Sequence, residues 1–119
     1  MATIQRKSLG EPEEVRSFEG HGHVDVVHLQ TCDVGLGTFE PGWRWSEDVK
    51  PIAGTDSCQV AHIGYVLSGR MHVVMDDGNE IDVGPGDACD IPPGHDAWTL
   101  GDEACVMVDF GGLAGYAKR

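Results

Sequence analysis

At 119 residues, the chain is long enough for one domain that buries roughly two thirds of the surface its unfolded form exposes. Its formal net charge of -12, from 20 acidic and 8 basic side chains, repels phosphate backbones and anionic membranes, so neither nucleic acid nor a membrane is an expected partner. Four scattered cysteines without CxxC spacing, and an N-terminus without an apolar signal segment, predict reduced thiols in a soluble, cytoplasmic protein.

The first third of the chain predicts a lead-in followed by two strands. Residues 1–20 are charged and contain a proline, and they predict at most one turn of helix. Two apolar segments follow, "VDVVHL" at 24–29 and "VGLGTF" at 34–39, and each favours a strand. Glycine and proline recur every few residues from Gly35 onward, which leaves no room for long helices and is typical of an all-β domain.

The middle of the chain has the pattern of a β-hairpin. Apolar and more polar residues alternate within 70–75 and again within 79–83. Asp77 and Gly78 stand between the two segments, and Gly tolerates the positive φ that the favoured two-residue turn requires. The sequence therefore predicts that these two segments pair as antiparallel strands.

Three further segments complete the pattern. "ACDI" at 88–91 predicts a short strand, "PPGHD" at 92–96 predicts a turn, and "ACVMVDF" at 104–110, apolar on both faces, predicts a buried strand between two sheets. At least seven short antiparallel strands predict a sandwich or a closed barrel, and the alternation alone does not choose between them.

Two sequence motifs favour the barrel over the sandwich. "HIGYVLSG" at 62–69, followed by "GPGDACDIPPGH" at 84–95, resembles the two signature motifs of the cupin superfamily, and the longer phrase around them is similar to small bacterial single-domain cupins. The resemblance implies an all-β fold, a double-stranded β-helix or jelly-roll barrel of two antiparallel sheets. Within a single domain, it implies a lead-in with the first strands at 1–35, the barrel core at 36–110 and a C-terminal tail at 111–119.

The resemblance also implies a metal site. The family's first motif, HxH followed by Glu, places its ligands at positions that Asp56, Cys58 and His62 occupy here, so the spacing is kept while the ligand types change. The histidine position of the second motif falls on Ala97, and His95 stands two residues earlier. The implied ligands are therefore Cys58, His62 and His95, with Asp56 as a fourth candidate.

This set of donors indicates which metal would bind. A thiolate, imidazoles and a carboxylate together suit Zn²⁺ better than Mg²⁺ or Ca²⁺, with iron, nickel or copper as alternatives. The same residues also fit a purely structural interpretation, with Cys58 as a small core residue, His62 as a hydrogen-bonded core histidine and Asp56 as a turn residue. "HGH" at 21–23 is far from both motifs and is expected to be a loop without a metal role.

Several other side chains are candidates for the wall of a ligand pocket. Trp43 and Trp45 share one face of their segment, Trp98 follows soon after His95, and Arg44 and Tyr65 offer a guanidinium and a hydroxyl for orienting a substrate. Tyr65 has the opposite parity to His62, which favours a direction away from the site.

Two functions fit these observations. The first is a zinc-type metalloenzyme that acts on a small carbonyl or carboxylate molecule, as an isomerase or lyase and less readily as a dioxygenase. The alternative is a non-catalytic module that binds or senses a small ligand, with a structural metal or none. The family resemblance also implies a homodimer.

Overall fold

The computed structural model describes residues 3–119, which form nine strands and two short helices. The elements in chain order are β1 Glu14–Ser17, β2 Gly22–His28, β3 Asp33–Phe39, α1 Trp45–Asp48, α2 Lys50–Ala53, β4 His62–Ser68, β5 Arg70–Met75, β6 Glu80–Val83, β7 Ala88–Ile91, β8 His95–Leu100 and β9 Cys105–Asp109. Each helix has four residues, and no helix in the described range has the length and apolar character needed to cross a membrane.

The strands form two antiparallel sheets. One has six strands in the order β1-β2-β3-β9-β4-β7, and the other has three in the order β6-β5-β8. Their inward side chains meet in one core, which includes Val26, Val66 and Val73, while intervening residues face outward. The fold predicted from the cupin resemblance, a jelly-roll barrel of two antiparallel sheets, is confirmed.

Local patterns in the middle of the chain are also confirmed. β5 pairs with β6 antiparallel, and Gly78 in the connecting turn has a φ of 94°, which favours glycine. The segments "VDVVHL", "VGLGTF" and "ACDI" correspond to β2, β3 and β7, with ends shifted by a few residues. Alternation and turn chemistry were sufficient here because both are local properties.

Two expectations about single elements were wrong. The lead-in contains a strand in place of a helical turn, because Glu14–Ser17 pairs along the edge of β2; residues 1 and 2 of this lead-in lie outside the described range. Strand β9 lies inside one sheet, between β3 and β4, and not between two sheets. Cys105 and Met107 are buried, whereas Val106 and Val108 on the opposite face are partly exposed.

The segment at 111–119, which we expected to be a tail, packs against the barrel. Leu113, Tyr116 and Ala117 are buried. The guanidinium of Arg16, itself buried, donates hydrogen bonds to the backbone carbonyls of Leu113 and Tyr116, the latter at 2.9 Å. Residues near the C-terminus therefore contribute to the core and, as described below, to the candidate site.

Candidate metal centre

Three side chains converge at one end of the barrel: Cys58, His62 and His95. One donor atom from each lies within 4.8 Å of the other two. The exposed fractions are 2% for Cys58, 8% for His62 and 4% for His95, so the cluster is shielded from solvent.

Backbone hydrogen bonds fix the relative positions of the segments that carry Cys58 and His95. The Cys58 N–H donates to the His95 carbonyl at 2.7 Å, and the Gly94 N–H donates to the Cys58 carbonyl at 2.7 Å. Gly94 has a φ of 95°, a left-handed conformation that ends the proline turn and lets β8 begin with His95 facing inward. His62 is the first residue of β4 and faces the same interior.

Hydrogen bonds also orient both imidazole rings. The Nδ1 atom of His62 lies 2.6 Å from Oδ2 of Asp109, and Nδ1 of His95 lies 2.8 Å from the Pro92 carbonyl oxygen. A carbonyl only accepts, so Nδ1 of His95 is the donor, and Nε2 is the ring nitrogen left to face the cluster. The Nε2 atom of His62 is 3.8 Å from the Cys58 sulfur. This arrangement resembles the histidines of metal sites, where one ring nitrogen binds the metal and the other is held by a carboxylate or carbonyl.

The charges of this cluster differ from those of isolated side chains. Burial raises the pKa of Cys58, but hydrogen bonds from His62 and His95 outweigh burial and lower it to about 6. Burial lowers the pKa of His62, while its hydrogen bonds to Asp109 and Cys58 raise it to about 9. Both shifts favour the thiolate–imidazolium form of the pair in the metal-free protein, and the thiolate is the form of sulfur that metals bind.

The donors fit a tetrahedral metal ion. Bond lengths of about 2.3 Å to sulfur and 2.0–2.1 Å to nitrogen require roughly 3.6 Å between sulfur and nitrogen, and roughly 3.3 Å between nitrogens. The observed spacings of up to 4.8 Å are within small side-chain movements of these values. Three protein ligands would leave the fourth position open, as in catalytic zinc sites.

Asp56 does not belong to this cluster. Its side chain is fully exposed, and its nearest charged neighbour is Lys50, with 4.0 Å between Nζ and Oδ1. The motif spacing made Asp56 a candidate, but residues 55–57 form bends, and its side chain does not reach the cluster. We therefore remove Asp56 from the candidate ligands.

A small cavity of about 40 Å³ adjoins the two histidines. Its wall is mostly apolar and includes Trp43, Trp45 and Ala97, the last at the position where the family pattern has a histidine. Cys58 lines a separate cleft of about 180 Å³, and both Trp45 and Tyr116 line the cleft as well as the cavity. The side chains of Trp45 and Tyr116 therefore lie between the cavity and the cleft.

The other predicted pocket residues lie outside the cavity. Strand alternation directs His95 and Ala97 inward and therefore directs Trp98 outward, where the Arg44 guanidinium lies 4.2 Å above its ring. Tyr65 is 43% exposed and faces away from His62, as its parity indicated. "HGH" has no part in the cluster: His21 bonds to Asp48 at the barrel surface.

Two residues of the site were missed by sequence reasoning, Asp109 and Tyr116. Asp109 shares the inward parity of Cys105 and Met107 at the end of a strand, a signal that could have marked it. Tyr116 packs edge-on to His62 with ring centroids 4.8 Å apart, and burial raises the pKa of its hydroxyl. Nothing local in the sequence around Tyr116 indicated this contact.

Comparisons with known proteins agree with this architecture. A family model described as "Cupin domain" matches residues 54–111. A Rhizobium leguminosarum protein of unknown function shares 20% identity over 92% of this chain and 97% of its own, with a TM-score of 0.66. A protein from Silicibacter pomeroyi, described as a sugar phosphate isomerase from a cupin superfamily, shares 19% identity over 91% of this chain and 75% of its own, with a TM-score of 0.65. An RmlC-like cupin from Shewanella frigidimarina shares 20% identity over 94% of this chain and 95% of its own, with a TM-score of 0.61. No curated protein matches the chain.

Proposed function

The chain belongs to the cupin superfamily, and from this premise we propose that it is a small metalloenzyme whose metal is held by Cys58, His62 and His95. The observation that carries the proposal is the convergence of one sulfur and two imidazole nitrogens in a buried cluster. Its substrate would be a small carbonyl or carboxylate compound, and its reaction an isomerisation or a lyase step.

Zinc is the metal that this donor set favours, with iron, nickel and copper as alternatives. When bound with an open fourth position, Zn²⁺ supplies Lewis-acid polarisation of a carbonyl or carboxylate oxygen. A thiolate ligand is exposed to oxidation when O₂ chemistry takes place beside it, so dioxygenation ranks below these reactions. The protein would work in the cytoplasm, where a thiol such as Cys58 stays reduced.

The protein's own groups prepare the site for such a reaction. Asp109 holds Nδ1 of His62, and the Pro92 carbonyl holds Nδ1 of His95, so both rings present Nε2 without further reorganisation. The mostly apolar wall beside them lowers the local dielectric constant, which strengthens electrostatic interactions with a bound ligand.

The alternative is a non-catalytic module that binds or senses a small ligand around a structural metal. Four protein ligands, with Asp56 among them, would favour that function, because structural zinc sites are closed. Asp56 lies outside the cluster, which supports the catalytic proposal. A panel of small oxo and hydroxy acids, followed by proton NMR in D₂O with the zinc-loaded protein, separates the two: turnover supports the enzyme, and stoichiometric binding without turnover supports the module.

The metal site itself is tested by elemental analysis of protein purified without added metal. We expect about one equivalent of metal in the wild type and a loss of most of it in Cys58→Ala and His62→Ala. Cys32→Ala and His72→Ala are matched controls, since both side chains lie outside the cluster. Equal metal content in all five proteins, or none in any, would contradict the proposal.

We also propose that the protein forms a homodimer through the outer face of its larger sheet. Ile63, Tyr65 and Leu67 on β4 are 58%, 43% and 49% exposed. Such a cluster of exposed apolar side chains is unusual for a free surface and typical of an interface. Strand alternation gives the central strands β3, β4 and β9 the following outward residues, all uncharged: Val34, Leu36, Thr38, Ile63, Tyr65, Leu67, Val106 and Val108.

A further inference from the structure

Two hydrogen-bond donors in the cavity wall have no acceptor. The indole nitrogens Nε1 of Trp43 and Trp45 are buried and lack a hydrogen-bond partner within residues 3–119, although both side chains line the cavity. Each whole residue is 2% exposed, so water does not reach these N–H groups from outside. A buried donor without a partner is costly, and such groups in native proteins usually have a specific reason.

The neighbouring groups do not remove this cost. The Asp109 carboxylate already accepts from His62 and from the Gly111 backbone N–H, at 2.6 and 3.0 Å. The ring of Phe39 lies edge-on to Trp43, 4.6 Å between centroids, and offers at most a weak acceptor. Within residues 3–119 these indoles therefore have no strong acceptor, and a ligand in the cavity would supply one.

The rest of the cavity limits what such a ligand can be. A volume of about 40 Å³ admits only a few non-hydrogen atoms before the wall has to move. Most of the wall is aliphatic, thioether or aromatic, which suits a short hydrocarbon portion. A divalent metal with one thiolate and two neutral imidazoles keeps one positive charge, and a single carboxylate would neutralise it.

We propose, on the basis of the metal site proposed above, that Trp43 and Trp45 determine the specificity of the cavity, and that their indole N–H groups select compact monocarboxylates with a short apolar chain. Both nitrogens are covered by neighbouring atoms, so binding includes a small rotation of each indole toward the ligand oxygens.

The test is calorimetric titration of the zinc-loaded protein with butyrate and with 1-butanol, its uncharged counterpart. Wild type should bind butyrate and prefer it to butanol. Trp43→Phe and Trp45→Phe keep an aromatic ring but lose the donor, and each should weaken butyrate binding about 10-fold, the usual effect of a hydrogen bond to a charged group. Trp98→Phe is the matched control, since Trp98 lies on the outer surface, and it should bind as wild type does.

Metal content and thermal unfolding, measured on the same samples, identify a variant that fails to fold or to bind zinc. Failure of wild type to bind butyrate at millimolar concentration, equal binding of butanol, or unchanged affinity in both cavity variants would overturn this inference. The wild-type comparison of acid and alcohol needs no variant. A protein that binds no metal but still binds butyrate through the two indoles would contradict the proposed metalloenzyme and leave the indole contacts standing.

Discussion

At the scale of single residues, the contact between Asp109 and His62 has the clearest chemical effect. The carboxylate holds Nδ1 at 2.6 Å, so Nε2 faces Cys58 and His95. We predict that Asp109→Asn, which keeps the size but removes the charge, lowers zinc affinity by about 10- to 100-fold, the usual effect of losing the partner of a ligating histidine. The measurement is a competitive titration against a chromophoric chelator.

A matched control exists on the other side of the barrel. Asp82 bonds Nδ1 of His72 at the exposed surface, so Asp82→Asn removes the same kind of contact far from the cluster. It should leave zinc affinity unchanged. Equal affinities for Asp109→Asn and wild type would show that Asp109 does not position a ligand.

The pKa values of Cys58 and His62 predict how the stability of the metal-free protein depends on pH. The pKa of Cys58 falls from 9.0 in the unfolded chain to about 6 in the folded protein, so its contribution to the free energy of unfolding is lost as the pH falls through 6. The pKa of His62 rises from 6.5 in the unfolded chain to about 9 in the folded protein, so its contribution to the free energy of unfolding is lost as the pH rises through 9. Between about 6.5 and 9 the two dependences cancel, because folding then moves a proton from sulfur to imidazole without net uptake.

The expected result is therefore a plateau of this pair's contribution from about pH 6.5 upward, because folded His62 and unfolded Cys58 both release their protons near pH 9, and a decline only as the pH falls from about 6.5 to 6. Denaturant titrations of wild type and of the double variant Cys58→Ala/His62→Gln, across this range, isolate the contribution as a difference. Thiolate absorbance in the ultraviolet should disappear near pH 6. A difference that rises steadily with pH would mean that the thiolate forms without its imidazolium.

At the scale of elements, the C-terminal segment depends on a single buried arginine of β1. Arg16 donates to the carbonyls of Leu113 and Tyr116, and it pairs with Glu14 at 2.9 Å. We predict that Arg16→Met, which keeps the aliphatic part, lowers the free energy of unfolding by about 2 kcal/mol, because two buried carbonyls lose a charged donor. Denaturant unfolding measures this change, and the exposed Arg119→Met serves as its control. Equal losses in both variants would contradict this role.

The outer face of β4 carries the corresponding prediction for assembly. Leu67→Glu should convert the proposed dimer to a monomer, because a carboxylate facing its symmetry-related copy would be buried without a partner. Sedimentation equilibrium measures the molecular mass. Ile81→Glu, on a 50% exposed residue of the smaller sheet, should have no effect. A monomeric wild type would rule out the interface at once.

At the scale of the whole molecule, sequence reasoning succeeded where a rule was local or a family register applied. The turn at Asp77 and Gly78 predicted its hairpin, and the motif spacing pointed to Cys58 and His62. It failed at Asp56 because residues 55–57 bend, so a position that matches the motif spacing does not bring the side chain to the cluster. Sequence reasoning missed the contact of Tyr116 with His62 because the C-terminal segment forms it by folding back onto the barrel, and no local pattern encodes such a contact.

The position of β9 between β3 and β4 has a consequence for the kinetics of folding. Gly35 on β3 pairs with Asp109 on β9, and most of the sequence lies between these two residues. The edges of β3 and β4 that face β9 therefore stay unpaired until this long-range pairing forms. Pairings between distant residues are slow to form, because closing the loop costs entropy before any contact repays it. His62 acquires its carboxylate partner only in this step. In a refolding experiment, high-affinity metal uptake should therefore follow the rate of the slowest structural phase.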